Sequence, residues 1–173
     1  MSLLQPPDPS WSVSAKTEIE TLMHQVEGLV EVHHIGSTSV PGLPAKPILD
    51  LMPILQTASL QAYAKDDFER MGYEWMDEFG LPGRAYARKS DPATGQRLVH
   101  AHSYVVGHPD IARHLAFRDA LRSNAPLKAA YTSVKAACAA RHPEGGATYG
   151  ACKSDWIEKA ENRALARIQE TPK

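Results

Sequence analysis

The N-terminal half of the chain passes from a helical pattern of apolar residues to strand-like runs and back again. Apolar residues spaced three and four apart predict helices, whereas short apolar runs that end at glycine or proline predict strands. The predicted elements are a helix capped by Ser12 or Ser14 and ending near Gly28, strands over residues 30–35 and 48–55, a helix over 58–71 and a short strand over 73–76. This order is typical of a sheet with helices packed against it.

The C-terminal half begins with an alternating pattern and then changes to a helical one. Residues 84–89 and 98–106 each alternate apolar and polar side chains, and the turn-forming segment 90–96 between them predicts a hairpin. After Pro109 the apolar period lengthens from two to about 3.6. The predicted helices cover residues 110–123, 126–141 and 149–169. The whole order predicts an α/β (α+β) fold, with a mixed β-sheet, helices packed on one side and a helical C-terminal part.

Length and composition fit one globular domain. The 173 residues are enough to bury about two-thirds of the unfolded surface in a single core, so residues 1–173 are expected to form one domain. Hydrophobic residues make up 43% and charged residues 23%, which excludes a mainly disordered chain. The 19 basic and 20 acidic residues give a net charge of −1, so we expect no long nucleic acid as a partner. Small anions can still bind through local charge.

The cysteine pattern and the absence of long apolar runs bear on the cellular compartment of the protein. Cys138 and Cys152 lie in alanine-rich helical patterns without Cys-x-x-Cys spacing, so we expect reduced, packed thiols. The sequence shows no signal peptide and no apolar run of about 18 residues. These features predict a cytoplasmic protein that does not enter a membrane.

The segment from residue 33 to residue 53, HHIGSTSVPGLPAKPILDLMP, carries the strongest functional signal. The first strand stops at Gly36, and Ser37 and Thr38 then offer hydroxyl and backbone N–H groups in a tight turn suited to an anion. Three prolines fix the backbone that follows, so a rigid loop leads to the second strand and Asp50. The layout predicts a phosphate-binding turn that faces a carboxylate.

The sequence HIGSTSVPGLPAKPILD resembles the signature of the GrpB family of bacterial proteins. Shorter blocks follow in the order that the family shows, namely PGRAYARK, HAHSY, FRDALR and YGACKSDWI. The resemblance covers nearly the whole chain and implies a nucleotidyltransferase-like fold. Some relatives in this family occur as an extra domain beside dephospho-coenzyme A kinase.

The resemblance implies that Asp50 is the catalytic carboxylate and the metal ligand. Nucleotidyl transfer needs carboxylates that hold Mg²⁺ between the phosphate oxygens and the attacking group, so Mg²⁺ is the expected cofactor. The broader fold usually carries a second acidic residue two positions further on. Here that position is Met52, whose thioether sulfur is a poor magnesium ligand. The alternative for Asp50 is a structural carboxylate that caps a loop.

Two histidines on a later strand are further catalytic candidates. His100 and His102 alternate with small residues, so both imidazoles are expected on one face of the strand. This spacing suits a shared metal, acid–base catalysis or phosphate hydrogen bonding. We expect one of them to replace the missing second carboxylate or to act as a base. The alternative is one packed and one solvated histidine.

Positive charge for a triphosphate would come from basic residues in the same blocks. Lys46 lies between two prolines, a placement that can aim its ammonium at a phosphate. Arg84, Arg118 and Lys153 each stand in a block that resembles a family motif. Together with Gly36, Ser37 and Thr38, these four residues form the expected phosphate-binding set. Solvated surface charges and local ion pairs are the alternative.

The expected function is binding of a nucleotide or a similar phosphorylated small molecule, with metal-assisted transfer of a nucleoside monophosphate if the protein is an enzyme. Two alternatives stay open. One is an inactive nucleotide-binding or coenzyme A-related regulatory module, which the residue at position 52 would permit. The other is a metal-dependent phosphohydrolase with a His/Asp site.

Overall fold

The computed structural model describes residues 2–170 of the chain. Its helices are α1 (Ser10–Gln25), α2 (Ala58–Arg70), α3 (Pro109–Ser123), α4 (Ala125–Arg141) and α5 (Gly146–Glu170). Its strands are β1 (Leu29–Ile35), β2 (Leu49–Leu55), β3 (Tyr73–Trp75), β4 (Ala85–Ser90) and β5 (Arg97–Val105). The short segment Ser37–Ser39 after β1 forms one 3₁₀ turn.

The strands form one mixed sheet in the order β1-β2-β5-β4-β3. The central pair β2 and β5 is parallel, and the other neighbours are antiparallel. Residues paired across neighbouring strands share a face of the sheet, and Asp50 pairs with His100 while Tyr86 pairs with His102. Because side chains alternate along a strand, Asp50, His100, His102 and Tyr86 therefore share one face.

The opposite face of the sheet packs on the first two helices. Leu51, Leu55 and Ala101 of the sheet are fully buried there, together with Leu22 of α1 and Phe68 of α2. These are the helical and alternating apolar positions that the sequence pattern picks out, so burial of apolar surface explains both the helices and the strand register.

The C-terminal helices cover part of the face that carries Asp50. Met52, Ile54 and Tyr104 on this face pack against Ile111 and Leu115 of α3. Further along, α3, α4 and α5 pack around a separate buried cluster that includes Leu43, Leu121 and Tyr131. The helices leave the Asp50 end of this sheet face open as the floor of a cleft.

The predicted fold class is confirmed, and most predicted elements agree with the structure to within a few residues. The start of α1 differs, because the helix begins at Ser10, where the carboxylate of Asp8 accepts a hydrogen bond from the Ser10 amide. Ser12 and Ser14 therefore lie inside the helix and do not cap it. Helix α3 packs on the face that carries Asp50, so helices pack on both sides of the sheet and not on one side as expected.

The expectation of reduced cysteines is wrong for this structure. Cys138 of α4 and Cys152 of α5 form a disulfide, with their Cα atoms 5.8 Å apart. The sequence shows each cysteine in its own helical pattern, but only the antiparallel packing of the two helices brings the sulfur atoms together. The two helices are therefore covalently joined beside the cleft.

Among residues 2–170, no helix combines the length and the apolar character that crossing a membrane would require.

Candidate functional site

Three side chains meet at the centre of the cleft floor. Asp50 Oδ1 lies 3.4 Å from His100 Nδ1 and 3.4 Å from His102 Nε2. Within the described part of the chain, these residues form the one group of His, Cys, Asp or Glu whose donor atoms, all within 4.8 Å of one another, could hold a metal ion. The parallel pairing of β2 with β5 produces this convergence, since Asp50 and His100 are direct partners.

The two histidines stabilise the ionised form of Asp50. Burial alone would raise the pKa of the Asp50 carboxyl, but hydrogen bonds and positive charge from His100 and His102 outweigh burial and hold the pKa well below its usual range. The carboxylate is therefore ionised at neutral pH. It keeps 29% of its side-chain surface exposed, so a ligand in the cleft can reach it.

The 3₁₀ turn after β1 lies directly against this carboxylate. Gly36 has φ +68°, and a Cβ atom placed on it would lie 2.3 Å from Asp50 Oδ2. Both the backbone conformation and the contact require glycine at this position. Ser37, the next residue, lines the cleft on both sides of Asp50.

Side chains from β1 and α3 brace the same turn. His34 Nε2 is 2.9 Å from Thr38 Oγ1, and burial lowers the pKa of His34 to about 4, so this imidazole is neutral. From α3, Arg122 donates two hydrogen bonds to the carbonyl of Ser39, and Arg118 donates one to the carbonyl of His34. The turn is therefore held in place before any ligand binds.

A cavity of about 210 Å³ on one side of Asp50 is lined by three lysines, which we call the lysine cavity. Lys46 comes from the loop before β2, Lys135 from α4 and Lys153 from α5. The ring of Tyr149 lies between two of them, 4.5 Å from Lys46 Nζ and 4.7 Å from Lys153 Nζ. Within residues 2–170, no carboxylate lies at ion-pair distance from any of the three ammonium groups.

These lysines are unusually desolvated for cations without an anionic partner. Lys135 is only 2% exposed and donates a hydrogen bond to the carbonyl of Pro44. Burial, with a further contribution from Lys153, lowers the pKa of Lys135 to about 7. Burial likewise lowers the pKa values of Lys46 and Lys153, although the charge of Asp50 opposes the shift. The cavity thus concentrates positive charge that an anion would stabilise.

A second cavity of about 210 Å³ lies on the other side of Asp50, and we call it the helical cavity because α3, α4 and α5 supply most of its wall. Its apolar wall includes Ile35, Phe117 and Ile157. His114 and Glu161 are polar residues of the same wall, and burial lowers the pKa of His114 to about 3. The two cavities share Asp50, Ser37 and Lys153, so a single elongated ligand can occupy both.

The structure brings most of the predicted site residues together. Those that line the cleft are Gly36, Ser37, Lys46, Asp50, His100, His102, Arg118 and Lys153. Arg118 lines only the helical cavity, where its guanidinium is bonded to Asp119 and to the carbonyl of His34. Thr38 is buried against His34 and Ile48 and lines neither cavity. Arg84 also lies outside both, since it donates to the carbonyls of Glu78 and Phe79.

Lys135 and the bracing role of Arg122 were not among the features predicted from the sequence. Lys135 lies four residues after Tyr131 and three before Cys138, two residues on the buried face of α4. A lysine within the apolar arc of an amphipathic helix is the signal that could have identified it. For Arg122 the sequence carries no comparable signal, because its acceptor, the carbonyl of Ser39, is 83 residues away along the chain.

The chemistry of the donor atoms fits a divalent ion. One carboxylate and two imidazoles are ligands that Mn²⁺, Fe²⁺ or Zn²⁺ accept readily, whereas Mg²⁺ prefers oxygen ligands. Met52 cannot complete an oxygen-rich site, because its side chain is fully buried against Ile35, Ile54 and Tyr104. The residues present therefore suit a divalent ion, and they favour transition metals over Mg²⁺.

Comparison with solved structures defines the class of fold. The poly(U) polymerase Cid1, in a structure with its short product ApU, superposes with a TM-score of 0.56 at 16% sequence identity. The match covers 85% of this chain and 48% of the Cid1 chain. At this identity the similarity shows the fold alone, which is nucleotidyltransferase-like, as the resemblance implied.

The chain belongs to the GrpB family. The family model described as GrpB protein matches residues 3–163. The crystal structure of the conserved protein GrpB from Enterococcus faecalis superposes with a TM-score of 0.88 at 38% identity, over 96% of this chain and 99% of that one. The family that the signature suggested is therefore confirmed.

Relatives of different lengths contain a segment that is similar to this chain. The UPF0157 protein YqkA from Bacillus subtilis is 39% identical over 139 residues, which span 79% of this chain but only 39% of YqkA. A dephospho-CoA kinase from Mycolicibacterium paratuberculosis is 26% identical over 93% of this chain and 45% of its own length. The chain thus spans about two-fifths of YqkA and less than half of the kinase.

Proposed function

We propose that the cleft binds the polyphosphate of a nucleoside triphosphate and catalyses metal-assisted transfer of the nucleoside monophosphate to a hydroxyl acceptor. One observation carries the proposal. Three lysines without a carboxylate partner among the described residues share a cavity with Asp50 and His100, which belong to the metal-type group. A polyanion beside a metal site is the ligand that this charge arrangement favours.

The polyphosphate would lie between the 3₁₀ turn and the lysines. Ser37 offers a hydroxyl and a backbone amide on one side, and Lys46, Lys135 and Lys153 offer ammonium groups on the other. Each ammonium is partly or fully desolvated, so binding an anion regains interaction energy that burial has removed. The helical cavity next to it combines apolar walls with polar and charged side chains and would take the remainder of the nucleotide.

The proposed reaction is an in-line displacement at the α-phosphorus. The acceptor hydroxyl oxygen forms a bond to the α-phosphorus, and the bond from that phosphorus to the bridging oxygen breaks. Pyrophosphate leaves with the bonding electron pair, next to the lysines that neutralise it. The hydroxyl proton would pass to water in the open cleft, because His100 and His102 both serve as metal ligands in this scheme.

Asp50, His100 and His102 would hold the metal ion. When bound, a divalent ion neutralises phosphate charge and polarises the phosphoryl oxygens. The chain's own contribution is to keep Asp50 ionised and to fix its position against Gly36. Mg²⁺ remains the expected cofactor of the fold, and the nitrogen ligands lead us to propose that Mn²⁺ supports the reaction better.

A binding module is the second candidate, and one observation favours it. The position where other members of the fold carry a second carboxylate is occupied by the buried Met52. Asp50 is therefore the single carboxylate beside His100 and His102 in the group that could bind a metal ion. A protein that keeps the lysine cavity and lacks chemistry would bind nucleotides in a regulatory role. Relatives named dephospho-CoA kinase make a coenzyme A-related ligand the natural one to include in its test.

The deciding experiment incubates the protein with the four α-labelled nucleoside triphosphates, Mn²⁺ or Mg²⁺, and a panel of hydroxyl acceptors. Transfer predicts pyrophosphate release and a labelled acceptor, with both reduced about a hundredfold or more in Asp50→Asn. Asp91→Asn is the matched control, because Asp91 caps the turn between β4 and β5 through backbone amides. Nucleotide or coenzyme A binding without any transfer would support the module, and release of phosphate or nucleoside monophosphate to water would indicate a hydrolase.

A further inference from the structure

The segment between β3 and β4 carries backbone strain next to the site. Apart from glycines, only Asp77 and Phe79 have positive φ angles among the described residues, at 49° and 44°. A bulky side chain rarely adopts this conformation, so the surrounding structure must hold it there. Residues that keep such strain cluster at functional sites.

Arg84 is the residue that holds the strained segment. Its side chain is buried, with the residue 8% exposed, and it donates hydrogen bonds to the carbonyls of Glu78 and Phe79. The Glu78 carboxylate accepts a hydrogen bond from the amide of Gly83, which closes the loop from the other side. The segment is therefore built to keep one geometry.

The result of this construction is an exposed aromatic ring stacked on a buried one. Phe79 is 56% exposed, and its ring lies 5.1 Å from the ring of Tyr86 with an angle of 16° between the planes. The ring of Tyr86 in turn lies 5.2 Å from His102 and 5.7 Å from His100. One face of Phe79 rests on Tyr86, and the Phe79 ring is thus one aromatic layer away from the histidines.

In-line transfer assigns the acceptor to this side of the site. The attacking and leaving oxygens lie on opposite sides of the phosphorus, so the acceptor needs an approach outside the lysine cavity. Tyr86 of β4 pairs with His102 of β5, and neither Tyr86 nor Phe79 lines the lysine cavity or the helical cavity. The Phe79–Tyr86 pair therefore offers an approach to the histidines that the nucleotide leaves free.

We propose that Phe79, stacked on Tyr86, binds the flat heterocyclic base of a nucleoside or mononucleotide acceptor. Aromatic rings stack on nucleobases without sequence preference, and a base stacked on Phe79 directs its sugar hydroxyl groups towards the histidines. The nearest guanidinium, that of Arg84, is already bonded to backbone carbonyls, so the surroundings suit an acceptor with little charge. This inference rests on the proposed transferase function for its acceptor role.

The test uses 2-aminopurine riboside, a fluorescent nucleoside whose emission is quenched when its base stacks. The full chain is titrated as wild type, Phe79→Ala and Phe79→Trp, with Leu81→Ala and Tyr63→Ala as controls. Leu81 is an exposed apolar residue of the same segment, and Tyr63 is an exposed aromatic residue on α2. A trinucleotide that ends in 2-aminopurine is titrated in parallel, because a strand end presents the same base.

The proposal predicts saturable quenching that weakens about tenfold or more in Phe79→Ala, survives in Phe79→Trp and is unchanged in both controls. Tighter binding of the trinucleotide than of the riboside would identify a strand end as the source of the base. Absence of quenching in the wild type, or equal affinity in Phe79→Ala, would overturn the proposal. Titration of the same variants with tripolyphosphate separates the proposed function from the stacking proposal. If the wild type does not bind tripolyphosphate but still quenches 2-aminopurine through Phe79, the proposed function is contradicted and the stacking proposal holds.

Discussion

The backbone of Gly36 lies so close to the carboxylate of Asp50 that there is no room for a side chain at position 36. A Cβ atom at Gly36 would lie 2.3 Å from Asp50 Oδ2 and 2.8 Å from Asp50 Cβ. The turn proposed to bind phosphate and the carboxylate proposed to bind metal are therefore held together as one rigid unit, although they come from opposite ends of a proline-rich loop.

Gly36→Ala should displace Asp50 and thereby weaken metal and polyphosphate binding about tenfold or more. With φ 68° and ψ −169°, Gly36 has a backbone conformation that adds a stability cost of about 1–3 kcal/mol for any residue with a Cβ atom. Gly95→Ala is the matched control, because Gly95 has φ +71° and no atom within 4 Å of its added Cβ. Both variants should lose thermal stability, and only Gly36→Ala should lose ligand affinity. Equal affinity in the two variants would contradict the close contact that we describe.

Metal binding should depend on Asp50, His100 and His102, and it should favour metal ions that accept nitrogen ligands. Asp50→Asn should weaken Mn²⁺ binding about a hundredfold, and His100→Gln or His102→Gln about tenfold each, because each variant removes one ligand. Electron paramagnetic resonance of free Mn²⁺ measures the affinity. His24→Gln, at an exposed histidine near the end of α1, should change nothing. A Mg²⁺ affinity higher than that for Mn²⁺ would count against the histidine ligands.

When polyphosphate binds at about pH 8, Lys135 should take up a proton. In the free protein the pKa of Lys135 is about 7, so much of its amine is neutral above that pH. A bound polyphosphate favours the ammonium and raises the pKa, so affinity should fall as the pH rises above about 7. Calorimetric titration with tripolyphosphate in two buffers of different ionisation enthalpy measures the uptake. Lys135→Gln should remove it, and an identical uptake in that variant would show that another group takes the proton.

The disulfide should stabilise the packing of α4 and α5 and with it the lysine cavity. Cys138 and Cys152 are 14 residues apart, and a loop of this size predicts a contribution of about 3 kcal/mol to the free energy of unfolding. Reduction should lower the Tm by about 6–12 °C and weaken tripolyphosphate binding, since Lys135 and Lys153 lie on the joined helices. The double variant Cys138→Ser, Cys152→Ser should not respond to reductant. An unchanged Tm on reduction of the wild type would exclude a stabilising role for the bridge.

Local patterns in the sequence sufficed to predict the elements and their α/β (α+β) order, whereas the nucleotidyltransferase-like fold was implied by the resemblance to the GrpB family. The alternation around His100 and His102 and the apolar run that carries Asp50 place these residues on strands, and the turn after Ile35 follows from Gly36. Which strands are neighbours depends on packing of the whole sheet, so the 3.4 Å contacts from Asp50 to the histidines could not be derived from spacing.

The residues whose contacts differ from expectation share a physical cause. Thr38 and Arg84 carry suitable polar groups, but backbone carbonyls and the half-buried His34 are their partners in the structure. Cys138 and Cys152 form a bridge only because two helices pack side by side. In each case the partner of the side chain is decided by tertiary contacts, which a pattern of residue types along the chain does not contain.

The most direct test of the central claim is a calorimetric titration of the protein with tripolyphosphate, in wild type, Lys153→Gln and Lys128→Gln. Lys153 lines both cavities, whereas Lys128 is a half-buried lysine of α4 that donates to the carbonyl of Pro41 and lines neither. The account predicts one binding site, an affinity about tenfold weaker in Lys153→Gln and an unchanged affinity in Lys128→Gln. Equal binding by the two variants, or no binding to the wild type, would contradict a polyphosphate site in the lysine cavity.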